Sequence, residues 1–156
     1  MILHFQQKRR IDTLAAKSLQ ARGRRQKDLW GTMANILVVD DDPVSRNIVT
    51  KILEKDEHTV TACASAPAAI EELTFKEFDL LVTDIIMPEH DGFEVIQAAR
   101  SLRPTLKVIV LSGIDERVPQ ELSMAAFDRL GVCRVVRKPI KPAVLVSEVL
   151  AVLVAG

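Results

Sequence analysis

Five short strand-like runs, each followed by a segment of helical spacing, constrain this chain more than any other feature. Residues 36–39, 59–63, 80–83, 108–111 and 134–137 read as strands. The run Ile36-Leu37-Val38-Val39 is continuously apolar, as a strand covered on both faces must be. Helical patterns occupy 43–55, 67–75, 93–102, 119–130 and 142–155. Asp42 before Pro43 is a helix start, because an Asp side chain accepts from free N–H groups and Pro needs no donor there. Pro104 and Gly131 mark helix ends. Strict alternation of this kind predicts an α/β fold with a parallel sheet, helices on both faces and right-handed crossovers.

Polar residues stand where four of these strands end. Asp40 and Asp41 follow the first, Asp84 the third, Ser112 the fourth and Lys138 the fifth. In a doubly wound sheet those C-terminal ends share one rim, and ligands bind there. Three carboxylates brought together repel one another. A divalent cation relieves the repulsion, and Mg²⁺ prefers oxygen ligands. A carboxylate beside such an ion is a nucleophile toward phosphorus. Phosphoryl transfer then needs positive charge around the equatorial oxygens, which Mg²⁺ and a lysine supply, and a hydroxyl donor adds to them. A single Asp at a strand end is ordinarily a turn or cap residue. Five residues of these types at strand ends form the set that makes an aspartyl phosphate.

Net charge is zero, which gives no argument for nucleic acid, and none is expected as a partner. The zero conceals a division. Residues 1–33 hold eight Lys/Arg (8, 9, 10, 17, 22, 24, 25, 27) against Asp12 and Asp28, so 8 − 2 gives +6, leaving −6 for the rest. The charge change sets a domain boundary: a basic N-terminal extension over 1–33, poorly ordered or partly helical, then a folded domain over 34–156. No run of 18 apolar residues exists to span a membrane, and no secretory h-region is visible. Cys63 and Cys133 lack metal-ligand spacing and read as free thiols of a cytoplasmic protein. His90 reads as a solvated loop residue.

The motifs together resemble the response-regulator receiver family, including its single-domain chemotaxis-type members. They are Ile36-Leu37-Val38-Val39-Asp40-Asp41-Asp42, Asp84-Ile85-Ile86-Met87-Pro88-Glu89-His90-Asp91-Gly92, Ser112-Gly113 and Lys138-Pro139. The resemblance runs from about Ala34 to the C-terminus. It implies a flavodoxin-like (βα)5 three-layer fold with a five-stranded parallel sheet in the order 2-1-3-4-5. It makes Asp84 the phosphoacceptor, Ser112 the switch hydroxyl and Lys138 the phosphate-binding lysine. Mg²⁺ would be held by Asp40, Asp41, Asp84 and the backbone carbonyl of Ile86, with Asp41 ligating directly and Asp40 largely through water. The Lys138–Pro139 bond is usually cis in such proteins.

The resemblance implies a phosphoacceptor of a two-component system and not an enzyme in the usual sense. Its donor would be a sensor histidine kinase or a histidine phosphotransfer protein. Its output would pass through contacts with a downstream protein target. Two positions that tune phosphate loss in the family are Ile86 and Ile114, whose apolar side chains cannot orient an attacking water; self-dephosphorylation is expected to be slow. The family's inward-turning aromatic in the fifth strand is replaced by Val135, so a smaller loop rearrangement is expected to carry the switch. A receiver-like module that binds partners without phosphate is the alternative. A phosphatase of the haloacid-dehalogenase-like group needs a second Asp where Ile86 stands. From Ala143 onward only Glu148 is charged, so the last helix is apolar nearly all round, and a surface for a partner protein or for a homodimer is expected there.

Overall fold

The computed structural model describes residues 33–89, 92–113 and 120–155; the basic segment 1–32, His90 and Ile114 lie outside them. The elements alternate as expected: β1 (Asn35–Val39), α1 (Pro43–Lys55), β2 (Thr59–Cys63), α2 (Ala66–Phe75), β3 (Leu80–Asp84), α3 (Gly92–Leu102), β4 (Lys107–Ser112), α4 (Gln120–Arg129), β5 (Arg134–Arg137) and α5 (Pro142–Val154). The strands form one parallel sheet in the order β2-β1-β3-β4-β5.

Alternation along the strands divides the core in two, since successive side chains leave a strand on opposite faces. Ile36, Val38, Leu80, Val82, Ile109, Leu111 and Val136 meet Val49 and Leu53 of α1 and Leu145, Val149 and Val152 of α5. Leu37, Val39, Leu81, Val108 and Val110 meet α2, α3 and Phe127 of α4. Each central strand is therefore covered on both sides, which explains its unbroken apolar run.

Two strands run one residue beyond their expected ends. Asp84 still pairs in register with Leu111, and Ser112 with Arg137, so both polar residues belong to the ladder. Their backbones are thus fixed by the sheet, a firmer mount than a loop. Gly131, after α4, takes φ 66°, the left-handed conformation that ends a helix at low cost in glycine. Cys63 and Cys133 are free thiols near the two opposite edge strands. No helix among the described residues is long and apolar enough to cross a membrane.

Candidate functional site

The strand order reverses between β1 and β3, and the C-terminal ends of these strands carry Asp40 and Asp84. An open α/β sheet has its crevice at such a switch point. Asp40, Asp41 and Asp84 each bring one carboxylate oxygen within 4.8 Å of the others. Asp40 is fully buried and Asp84 is nearly so. Asp41 is more open to solvent.

Lys138 reaches this cluster from beyond β5. Its Nζ lies 2.8 Å from Asp40 Oδ2 and 3.2 Å from Asp84 Oδ2. Its backbone N–H donates to the Ser112 carbonyl at 2.8 Å, which ties it to the end of β4. The Lys138–Pro139 bond is cis. Ser112 stands on the same rim, but its Oγ donates to the Gly113 carbonyl at 3.1 Å and not to a carboxylate. The Ile86 N–H donates to Asp84 Oδ1 at 3.3 Å, while the Ile86 side chain is about half exposed. Val135 packs against the α2–α4 face of the sheet.

The turn after β1 is held by its own polar groups. Asp42 caps α1, accepting from the N–H groups of Val44 and Ser45. The Asp42 N–H donates to Asp40 Oδ1 at 3.0 Å. Arg46 donates to the carbonyls of Asp40 at 2.8 Å and Asp41 at 3.4 Å. Ser45 Oγ donates to Asp40 Oδ2 at 2.7 Å. Reasoning from the sequence named the cap but missed Ser45 and Arg46. Their signal was spacing: residues three and four after a cap lie in the first helical turn, and side chains there lean back toward the strand end.

Charge decides what the cluster can take up. Three ionised carboxylates and one ammonium leave a formal −2. Burial raises the Asp84 carboxyl above its usual range, and the nearby Asp40 adds to the shift; Lys138 and the Ile86 N–H oppose it. For Lys138, burial alone would lower the ammonium. The hydrogen bond to Asp40 and the charges of Asp84 and Asp40 outweigh burial and hold it above its ordinary value. The donor set, oxygen only with a net charge of −2, fits a hard divalent ion such as Mg²⁺.

The raised Asp84 carboxyl bears on stability. An acid whose folded pKa lies above its unfolded value adds stability only at low pH, and loses that contribution as pH rises through the folded pKa. At neutral pH the ionised Asp84 therefore works against folding when no cation is bound. Asp84→Asn is expected to raise the melting temperature of metal-free protein at pH 7 by roughly 2–5 °C, the scale of about 1 kcal/mol in a domain this size. The gain should shrink as pH falls toward 4. A lower melting temperature in the Asn variant at pH 7, measured in chelator by calorimetry, would contradict the assignment of a raised carboxyl.

A doubly wound α/β domain with a cation-competent acidic rim at its switch point defines a flavodoxin-like domain. The chain belongs to the response regulator receiver domain family, whose model matches residues 36–150. Among its relatives is the response regulator receiver protein CpdR of Brucella abortus (strain 2308), 35% identical over 124 residues, which are 80% of this chain and all of that protein. The transcriptional regulator NtrC of Azospirillum brasilense is 34% identical over 79 residues, half of this chain but only 16% of that protein. A CheY-like receiver domain protein from Methanospirillum hungatei JF-1 superposes with a TM-score of 0.71 at 28% identity, covering 78% of this chain and 94% of that one. The chain is thus a receiver domain of the two-component kind. Such domains bind Mg²⁺ at an acidic Asp cluster, and they interact with histidine kinases or phosphotransfer proteins and with downstream targets.

Proposed function

We propose that this protein is a phosphoacceptor switch that takes a phosphoryl group onto Asp84 in a Mg²⁺-dependent reaction and signals through protein contacts. The observation that carries the reading is Lys138 Nζ standing between Asp40 and Asp84, where the acidic trio and this ammonium together leave a formal charge of −2. Asp41 and Asp84 would ligate Mg²⁺ directly, together with the Ile86 carbonyl, and Asp40 through water. Bound there, the cation would offset charge on the transferring phosphoryl oxygens.

An Asp84 carboxylate oxygen forms the new P–O bond as the donor's bond to phosphorus breaks, and the leaving group departs with that electron pair. Lys138 pairs with one phosphoryl oxygen. Ser112, anchored at the end of β4, turns its hydroxyl from the Gly113 carbonyl to another. The donor is a sensor histidine kinase or a histidine phosphotransfer protein, and the protein is a cytoplasmic switch and not an enzyme. The folded domain begins at about residue 34, with 1–33 as its basic extension.

The reading is tested with acetyl phosphate as donor. Intact mass is expected to rise by one phosphoryl group with Mg²⁺ and to stay unchanged in excess chelator. A module working without phosphate would gain nothing in either condition. The same sample tests persistence: with Ile86 beside the acceptor, the phosphoprotein should outlast several minutes once donor is removed, and a lifetime of seconds would count against that role. A homodimer through α5 belongs to the same proposal. Val144, Leu150 and Val154 are exposed there, and sedimentation showing only monomer at high concentration, with and without acetyl phosphate, would remove it.

A further inference from the structure

The carboxylate of Asp40 is the most demanding group in the site. It is fully buried, and a buried charge without partners is strongly destabilising. Three donors meet it: the Asp42 N–H at Oδ1 (3.0 Å), and Ser45 Oγ (2.7 Å) and Lys138 Nζ (2.8 Å) at Oδ2. Lys138 is shared, because it also reaches Asp84 Oδ2 at 3.2 Å. If Lys138 swings toward a phosphoryl group on Asp84, Asp40 Oδ2 keeps one donor among these, the Ser45 hydroxyl.

We propose that Ser45 is a positioning residue, whose hydroxyl fixes the buried Asp40 carboxylate and keeps it partnered while Lys138 turns to the phosphoryl group on Asp84. Ser45 stands in the first turn of α1, three residues after the Asp42 cap, where a short side chain leans back toward the end of β1. The backbone there is held separately: Arg46 binds the carbonyls of Asp40 and Asp41, and Asp42 caps the helix. Removing the hydroxyl should therefore loosen one side chain without unfolding the turn. Outer partners of a metal-binding carboxylate commonly carry about 10–100-fold in metal affinity or activity. The inference rests on Asp84 as the acceptor and on Mg²⁺ binding beside it.

The test uses the full chain as wild type, Ser45→Ala and Ser45→Thr. Isothermal titration with Mg²⁺ alone reports affinity. Initial phosphoryl uptake from acetyl phosphate at saturating Mg²⁺, followed by intact mass, reports reactivity. Ser45→Ala is expected to weaken Mg²⁺ binding or slow uptake by about tenfold. Ser45→Thr keeps the hydroxyl and should restore the affected measure to within roughly twofold, which a merely structural loss would not show. Should the alanine chain fail to fold, Ser45→Cys, similar in shape but a weak donor, takes its place. An alanine or cysteine variant equal to wild type in both measures, or a threonine variant equally impaired, overturns the proposal while leaving the phosphoacceptor reading intact. Wild-type protein that binds no Mg²⁺ and gains no phosphoryl overturns both.

Discussion

Asp84→Ala is expected to abolish phosphoryl uptake: with acetyl phosphate and Mg²⁺ the wild-type chain gains one phosphoryl in mass and the variant gains none. The size of the effect comes from the chemistry, because a nucleophile has no substitute in its own step. Losses from removing one exceed a hundredfold, and in well-studied cases are far larger. The neighbouring carboxylates are poor replacements. Asp40 is fully buried and engaged by the donors on both of its oxygens. Asp41 lacks the contact with Lys138 that Asp40 and Asp84 have. The substitution should also leave the protein folded, since the Asp84 carboxylate is held above its usual pKa by burial and so opposes folding at neutral pH. A variant that melts no lower than wild type yet takes up no phosphoryl is the expected result. Equal uptake in both proteins would move the acceptor elsewhere and end the site assignment.

Gly92→Ala is expected to be the most damaging small substitution near the site. A Cβ at this position would collide with the Asp84 carbonyl oxygen and lie 2.9 Å from the Asp84 carbonyl carbon and the Ile85 Cα. All three are backbone atoms, and the first belongs to a residue paired within β3. None can move away as a flexible side chain could. The Gly92 N–H also donates to the Ile85 carbonyl at 2.9 Å, which locks the close approach. Overpacking commonly costs about 1–3 kcal/mol, and rigid neighbours put this site at the upper end. A loss near 3 kcal/mol corresponds to a melting temperature lower by roughly 10 °C in a domain this size. Because the displaced backbone carries Asp84, Mg²⁺ affinity should fall as well. A Gly92→Ala protein melting within 2 °C of wild type would show that the loop yields freely.

Gly92 also shows how sequence reading falls short. Asp91-Gly92 reads as turn chemistry, and that is all the dipeptide tells. The reason for glycine is a distance to a backbone eight residues earlier, which spacing along the chain does not encode. Val135 illustrates the reverse. Its departure from the aromatic usual in this family is plain from its position in the fifth strand, and the structure adds only which face it packs on.

The local sequence determined the succession of strands and helices, the α1 cap at Asp42, the parallel sheet and the four strand ends that carry polar residues. These are matters of period and stereochemistry, which act between residues a few positions apart. Only the tertiary structure decided that Lys138 bridges Asp40 and Asp84, that Ser45 and Arg46 turn back onto the acidic pair, and that Ser112 bonds to Gly113. The Lys138 bridge depends on which strands lie side by side, while the contacts of Ser45, Arg46 and Ser112 are local in sequence and depend on the rotamer each side chain takes at the rim. A buried charge selects its partners by proximity in space, and folding brings residues 40, 84 and 138 together from distant parts of the chain.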